Sequence, residues 1–132
     1  MVAEDIQSLR ATLARDLWTW SGVYFGYRRG SSLFTYDGIE VGRFSGLEVY
    51  GIDGTYLGEV RSAEDGDRLI TSNYKKSRTS AIFAPTFERP HTRVPDRTAE
   101  ALYCGYEHFP SPEILKSAVL ELKSVAKLAY QF

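Results

Sequence analysis

Three stretches of the chain align with one another without a gap: LWTWSGVYFGYRRG at 17–30, LFTYDGIEVGRFSG at 33–46 and VYGIDGTYLGEVRS at 49–62. Gly22, Gly38 and Gly54 recur at a period of sixteen, as do Gly26, Gly42 and Gly58. The aliphatic starts Leu17, Leu33 and Val49 keep the same period, followed by the aromatics Trp18, Phe34 and Tyr50. Several columns in one register exclude coincidence, and a tandem repeat of this kind decides the fold class before any other feature. Each unit reads as a β-hairpin. Ser21-Gly22, Asp37-Gly38 and Asp53-Gly54 sit between apolar, β-prone segments. A two-residue type I′ turn needs positive φ at both central residues, which Gly and Asp tolerate best. The second glycine lies inside the outgoing strand, where a missing side chain marks a bulge or a close approach of backbone. Its recurrence predicts a crowded place such as a central pseudo-axis. Ser45-Gly46 is a further short turn linking the second and third units.

A sixteen-residue unit is too short for a four-stranded propeller blade and suits a two-stranded petal. A lone hairpin is marginal in water, so several must pack together. A degenerate fourth unit follows, with Asp67–Thr71 as incoming strand, Ser72-Asn73 as turn and Tyr74–Ser77 as outgoing strand. Terminal repeats are often atypical.

The quoted segments WTWSGVYFGYR, LFTYDGIEVGRFSG and EVYGIDGTYLGEV are followed in order by RLIT, KKS and YCGYEHFPSP. Together, over about residues 18 to 112, they resemble the bacterial 4-fold β-flower proteins. The resemblance implies four β-hairpin petals around a pseudo-fourfold axis. It carries no activity, cofactor or catalytic residue to this chain. The degenerate fourth unit and the segment 84–98 depart from the repeated pattern.

The chain of 132 residues fits one domain. With 43% hydrophobic and 25% charged residues it is neither disordered nor membrane-spanning. Sixteen basic against seventeen acidic residues leave a net charge of −1, so bulk charge points to neither nucleic acid nor membrane. Cys104 is the sole cysteine, which rules out an internal disulfide and a cysteine zinc cluster. The early acids of VAEDIQSLRATLARDL do not read as a signal peptide, and the cytoplasm is the expected location.

Outside the repeats, Ile6, Leu9, Leu13 and Leu17 share one face at helical spacing and predict an N-terminal helix over 3–15. A stronger helix is predicted over 112–130. Ser111 is its N-cap, Pro112 its first residue, and Glu113 favours the dipole. Leu115, Val119, Leu122, Ala126 and Ala129 alternate four-three spacings like a coiled-coil seam. Ile114, Ala118, Val125 and Leu128 widen that face, which can dock on its own domain or join a partner. Between the repeats and this helix, residues 72–100 are rich in Ser, Thr, Pro, Arg and Lys, and APTFERPHTRVPDRT at 84–98 reads as a loop with short extended pieces.

The chemistry-bearing candidates are few. The segment 68–97 holds the only basic concentration: Lys75, Lys76, Arg78, Arg89, Arg93 and Arg97 could hold a small anionic ligand or nucleic acid, with Tyr74, Phe83 and Phe87 to stack. A solvated loop is the ordinary alternative. Cys104, Glu107, His108 and His91 could form a Cys-His or metal set, yet their spacing matches no metal motif and Cys104 reads as a small apolar strand residue. Asp37 and Asp53 occupy turn slots that already favour Asp, which explains them without acid–base work, and Glu40 and Glu59 read as outer-face strand residues. Trp18, Trp20, Tyr24, Phe34, Tyr36, Tyr50 and Tyr56 are either core or an aromatic cage.

The reading that results is mainly β, a pseudo-fourfold cluster of hairpins in one domain. It has an N-terminal helix over 1–16, a β core over 17–110 with the loop 84–98, and a C-terminal helix over 111–132. No cofactor or metal is implied. The expected function is a non-enzymatic binding or interaction module, self-associating through the C-terminal helix or holding a protein partner. A nucleotide or nucleic-acid binder using the basic segment, and a small enzyme using Cys104, His108 and Glu107, are the alternatives.

Overall fold

The computed structural model describes residues 13–130, with side chains through residue 122. Strands β1 (Arg15–Thr19), β2 (Tyr24–Arg29), β3 (Ser32–Thr35), β4 (Glu40–Ser45), β5 (Glu48–Gly51), β6 (Tyr56–Ala63) and β7 (Gly66–Ser72) pair in order, each antiparallel to the next. A parallel pairing of Trp18 with Arg68 and Thr19 with Leu69 joins β1 to β7 and closes the sheet into a seven-strand barrel. Closure removes the free edges that an open sheet would present. A short β8 (Tyr106–His108) adds to the end of β7, and the helix α1 (Pro112–Tyr130) follows.

Strand alternation sends Leu17, Leu33, Val49 and Leu69 into the barrel, where they meet Phe25, Val41, Phe44, Val60 and Phe109. Leu17, Leu33 and Val49 stand opposite Gly26, Gly42 and Gly58. Each pairing is followed at once by a register shift, between Leu17 and Trp18, Leu33 and Phe34, and Val49 and Tyr50. A Cβ on Gly42 would lie 2.9 Å from Val49 Cγ1 and 3.1 Å from Tyr50 O. The crowding comes from the next strand, and at Gly58 also from the core ring of Phe109, 2.6 Å from such a Cβ.

The hairpin turns differ in one respect from the type I′ expectation. Among the described residues no non-glycine has positive φ, so Ser21, Asp37 and Asp53 do not supply the left-handed position. The loops have three residues instead. Gly22, Gly38 and Gly54 N–H donate to Thr19, Thr35 and Gly51 O at 2.8, 2.9 and 3.0 Å. Thr19, Thr35 and Gly51 N–H donate onward to Val23, Ile39 and Thr55 O at 2.8, 3.0 and 2.8 Å. Glycine at φ +91, +82 and +83 closes each loop, the arrangement of a turn ending in a glycine bulge.

The expected outgoing strand at 74–77 is not formed. Asn73–Lys75 is a 3-10 turn capped by the Ser72 hydroxyl, and the antiparallel partner of β7 arrives only at Tyr106. The chain between, residues 79–101, forms a belt around the three hairpin turns in reverse order. Ser80, Glu88 and Arg97 N–H donate to Gly54, Gly38 and Gly22 O at 2.8, 2.7 and 2.7 Å. Phe83, His91 and Glu100 N–H donate to Ile52, Tyr36 and Trp20 O at 3.2, 2.7 and 2.9 Å. Every turn thus offers the same two carbonyls to two belt amides three residues apart. Pro85, Pro90 and Pro95 fall between the donors and bias their neighbours to extended backbone.

At the start of the described chain, β1 begins at Arg15 and Leu17 is a buried strand residue, so the predicted helix does not reach 15 and Leu17 is not on its face. The expectation for 1–12 lies outside the described residues. The C-terminal helix spans the predicted range. Ile114 N–H donates to Ser111 Oγ at 3.3 Å and Leu115 N–H to Ser111 O at 3.2 Å. Cys104 corrects another expectation, being an exposed turn residue ahead of β8.

Gly38 and Gly46 share positive φ, but only at Gly38 would a Cβ overlap a belt carbonyl, that of Glu88; nothing lies within 4 Å of one at Gly46. Gly46→Ala is expected to cost about 1–2 kcal/mol, the ordinary left-handed penalty. Gly38→Ala is expected to cost about 3 kcal/mol or more, because belt hydrogen bonds go with it. Urea unfolding of both variants measures this; equal losses would mean that the belt is not seated on the turn.

Candidate functional site

The basic segment is turned inward on its own barrel. Lys75 Nζ lies 3.0 Å from Glu59 Oε1 and 3.2 Å from Glu48 Oε2, and Arg78 also pairs with Glu48. The Glu59 carboxylate, with that of Glu48, holds Lys75 above its ordinary pKa. The Tyr50 hydroxyl, Lys75 and Arg78 hold Glu48 below the usual carboxylate range. Lys76 pairs with Glu107 at 2.7 Å and Arg93 with Asp96 at 3.2 Å. Arg97 lies over the Trp18 ring, 3.4 Å from its centroid. Phe83 carries Arg43 at 4.3 Å, and Phe87 forms a β-bridge with Ile39. Arg89 and Tyr74 are exposed. Most of the segment's cations therefore tie the belt and its approach to the barrel, and they do not converge on one empty centre.

Most of the repeated aromatic residues are buried, and Trp18, Trp20 and Tyr24 lie beneath the belt. Trp18, Trp20, Tyr24, Phe34, Tyr50 and Tyr56 are buried and Tyr36 is half-buried. Trp18 Nε1 donates to Pro95 O at 3.0 Å and Trp20 Nε1 to Ala101 O at 2.9 Å. Tyr27 stacks on His91 at 3.8 Å and donates its hydroxyl to Glu88 Oε2 at 3.0 Å, where Arg29 also binds. A hollow of about 400 Å³ beside Trp20 and Tyr103 contains Arg61, which covers the Tyr106 ring at 4.5 Å.

Glu40 lies beneath the belt, outside the core cluster, and its side chain is fully buried. Its Oε1 accepts from Thr86 N at 2.9 Å and Thr86 Oγ1 at 3.1 Å, and its Oε2 from Arg43 Nε at 3.1 Å. Burial pushes this carboxyl up, but the bonds from Arg43, Ser32 and Thr86 outweigh burial and hold it below its ordinary value. Glu59 is likewise buried, beside Lys75 and Arg61. Asp53 Oδ1 accepts from Thr55 N and Oγ1 at 3.1 and 2.6 Å, while Asp37 pairs with Lys116 at 2.7 Å. Both turn carboxylates are engaged in holding structure.

His91 is bonded through its backbone to the second hairpin turn and stacked on Tyr27. Cys104, Glu107 and His108 lie at β8, with Glu107 paired to Lys76. Among the described residues no group of three or more His, Cys, Asp or Glu is placed to hold a metal, and no helix is long and apolar enough to cross a membrane.

Among the described residues, one face of α1 is docked and the next is exposed. Leu115 and Val119 pack on the barrel core, with Val119 only 2% exposed, which stabilises the docking by roughly 1.5–3 kcal/mol for that side chain. Lys116 fixes the helix to the second hairpin turn through Asp37. One residue round the helix, Ile114 is 65% exposed and Leu122 52%, with Ala118 exposed between them. A groove of about 280 Å³ runs beside this ridge, lined by Val41, Ile52, Leu57, Leu115, Val119 and Leu122. Of the predicted seam, Leu115 and Val119 face inward and Leu122 is half out; Ala126 and Ala129 lie beyond the described side chains.

No protein-family model, curated protein or solved structure matches the chain.

The sequence pattern missed Glu40, Glu88 and Asp96 as anchors of the belt. Asp96 Oδ1 accepts from Tyr24 N at 2.9 Å, and nothing in residue type or spacing marks any of the three.

Because the folded-state pKa of Glu40 is lowered, its contribution is present above the unfolded carboxyl value of about 4.3 and is lost as pH falls through the folded value. Glu40→Gln is expected to cost about 1–3 kcal/mol at pH 7. The gap from the parent chain should shrink below about pH 4. Unfolding curves at pH 3, 5 and 7 check this, and a gap that is constant or widens in acid contradicts it.

Proposed function

We propose that the chain is a non-enzymatic interaction module of the 4-fold β-flower kind, with the ring as scaffold and the outer face of α1 as contact surface. Support for the flower reading comes from equivalent pairings. Leu69 stands opposite Val60 as Leu33 stands opposite Arg28 and Val49 opposite Phe44. β7 and β8 then form a fourth hairpin whose turn has grown into the belt. Phe109, just after β8, is buried against the Phe25 ring at 5.4 Å.

The observation that carries the functional reading is the exposed ridge of Ile114, Ala118 and Leu122 beside an apolar groove. Single exposed apolar residues are ordinary; a helical ridge next to a groove is the form in which helices meet partners. The anionic-ligand reading is disfavoured, since Lys75, Lys76, Arg78 and Arg93 already have carboxylate partners.

Native mass spectrometry of the chain purified from its host tests this. The intact chain is expected in a complex heavier than one chain. An Ile114→Glu/Leu122→Glu variant is expected at single-chain mass, with stability close to the parent because both sites are surface positions. Single-chain mass for both proteins contradicts the proposal, as would turnover of a substrate abolished by one side-chain change.

A further inference from the structure

We infer that Asp37 is a two-position latch between the second hairpin turn and the start of α1. Docking of the helix draws its carboxylate away from the turn, and release of the helix returns it. The inference does not depend on what the outer face of α1 meets. It comes from three equivalent turns in one chain.

In the first and third turns, side chains close the loop. Thr19 Oγ1 accepts from Val23 N–H at 3.2 Å and lies 2.8 Å from the Ser21 hydroxyl. Asp53 Oδ1 accepts from Thr55 N–H at 3.1 Å and from the Thr55 hydroxyl at 2.6 Å. Short polar side chains are favoured in turns for such local bonds.

The second turn has the same parts in Thr35, Asp37 and Ile39, and leaves them open. Asp37 Oδ2 is taken by Lys116 Nζ of α1 at 2.7 Å. Among the described residues no acceptor reaches the Ile39 N–H. Thr35 is fully buried, and its Oγ1 has no hydrogen-bond partner. A covered hydroxyl left unpaired costs more than an average hydrogen bond contributes. The missing partner stands beside it. Position 37 is placed to 35 as Ser21 is to Thr19, and to 39 as Asp53 is to Thr55. A side-chain rotation that gives up Lys116 lets Asp37 accept from both.

The Lys116–Asp37 pair is itself partly solvated, its side chains 29% and 34% exposed, so its own contribution is modest. Docking thus exchanges local turn bonds for one ion pair, and neither position of Asp37 satisfies both ends. Val41, Ile52 and Leu57 line the groove beside Leu115 and Val119. The latch therefore sets how readily this apolar wall is uncovered.

Amide hydrogen exchange, read by NMR relative to the barrel amides of Val49 and Leu69, tests this. Helical order in proteins rests largely on packing, so the amides of residues 116–122 report the seating of α1. Lys116→Met is expected to speed their exchange several-fold and to slow that of Ile39, whose N–H regains Asp37. Thr35→Val should slow exchange at 116–122 by about fivefold or more, because docking no longer strands a hydroxyl. In the double variant that second effect should vanish, since Asp37 then stays with its turn. An Ile39 amide that fails to slow in Lys116→Met overturns the latch. So does a Thr35→Val effect that is absent from the parent chain, or one that is equally large beside Lys116→Met. A helix held merely by an ion pair would lose protection with Lys116 and leave Ile39 unchanged.

Discussion

A three-residue hairpin loop closed by a left-handed glycine leaves carbonyl oxygens pointing away from its strands. Here the carbonyls of Trp20 and Gly22, Tyr36 and Gly38, and Ile52 and Gly54 are all taken by belt amides. Each such bond contributes a modest net amount, about 0.5–1.5 kcal/mol, yet leaving a covered carbonyl unmade costs more. The belt's path is therefore set by the turns. Its cover over Trp18, Trp20 and Tyr24 follows from that path, as do the burial of Glu40 under Thr86 and the inward use of Arg97.

The same constraint turns most chemistry-bearing residues of the belt towards the barrel or one another. Most of its cations and acids are spent on the barrel or on one another, and the rings they could share with a ligand already lie against Arg97, His91 or Arg43. The helix α1, by contrast, docks by a narrow stripe. Leu115, Lys116 and Val119 hold its first half, and the ridge of Ile114, Ala118 and Leu122 one position round the helix is exposed.

Much of the barrel was legible because its determinants are periodic. Glycine at 22, 38 and 54 is required twice over, by its positive φ and by the belt carbonyls of Arg97, Glu88 and Ser80. The α1 boundaries were legible from Ser111 and Pro112. The turn type was misread because a dipeptide ending in Gly fits both a two-residue and a three-residue loop, and the choice rests on backbone angles at Ser21, Asp37 and Asp53 that either loop's sequence allows. The belt was not legible at all. It is recognised through its own N–H groups, so Ser80, Glu88 and Arg97 occupy equivalent places with unrelated side chains. The partner of β7 was placed wrongly for the same reason: Gly66–Ser72 pairs with Tyr106–His108, too far away in sequence for local spacing to join them.

The order of the elements along the chain also bears on how the protein is made. All seven strands of the ring lie within residues 15–72, so the parallel β1–β7 seam has both its partners before any part of the belt leaves the ribosome. At roughly 5–20 residues per second the belt emerges a few seconds later. It arrives at a ring that needs no further strand to close, and it can be laid on from outside, turn by turn, without any loop having to be threaded.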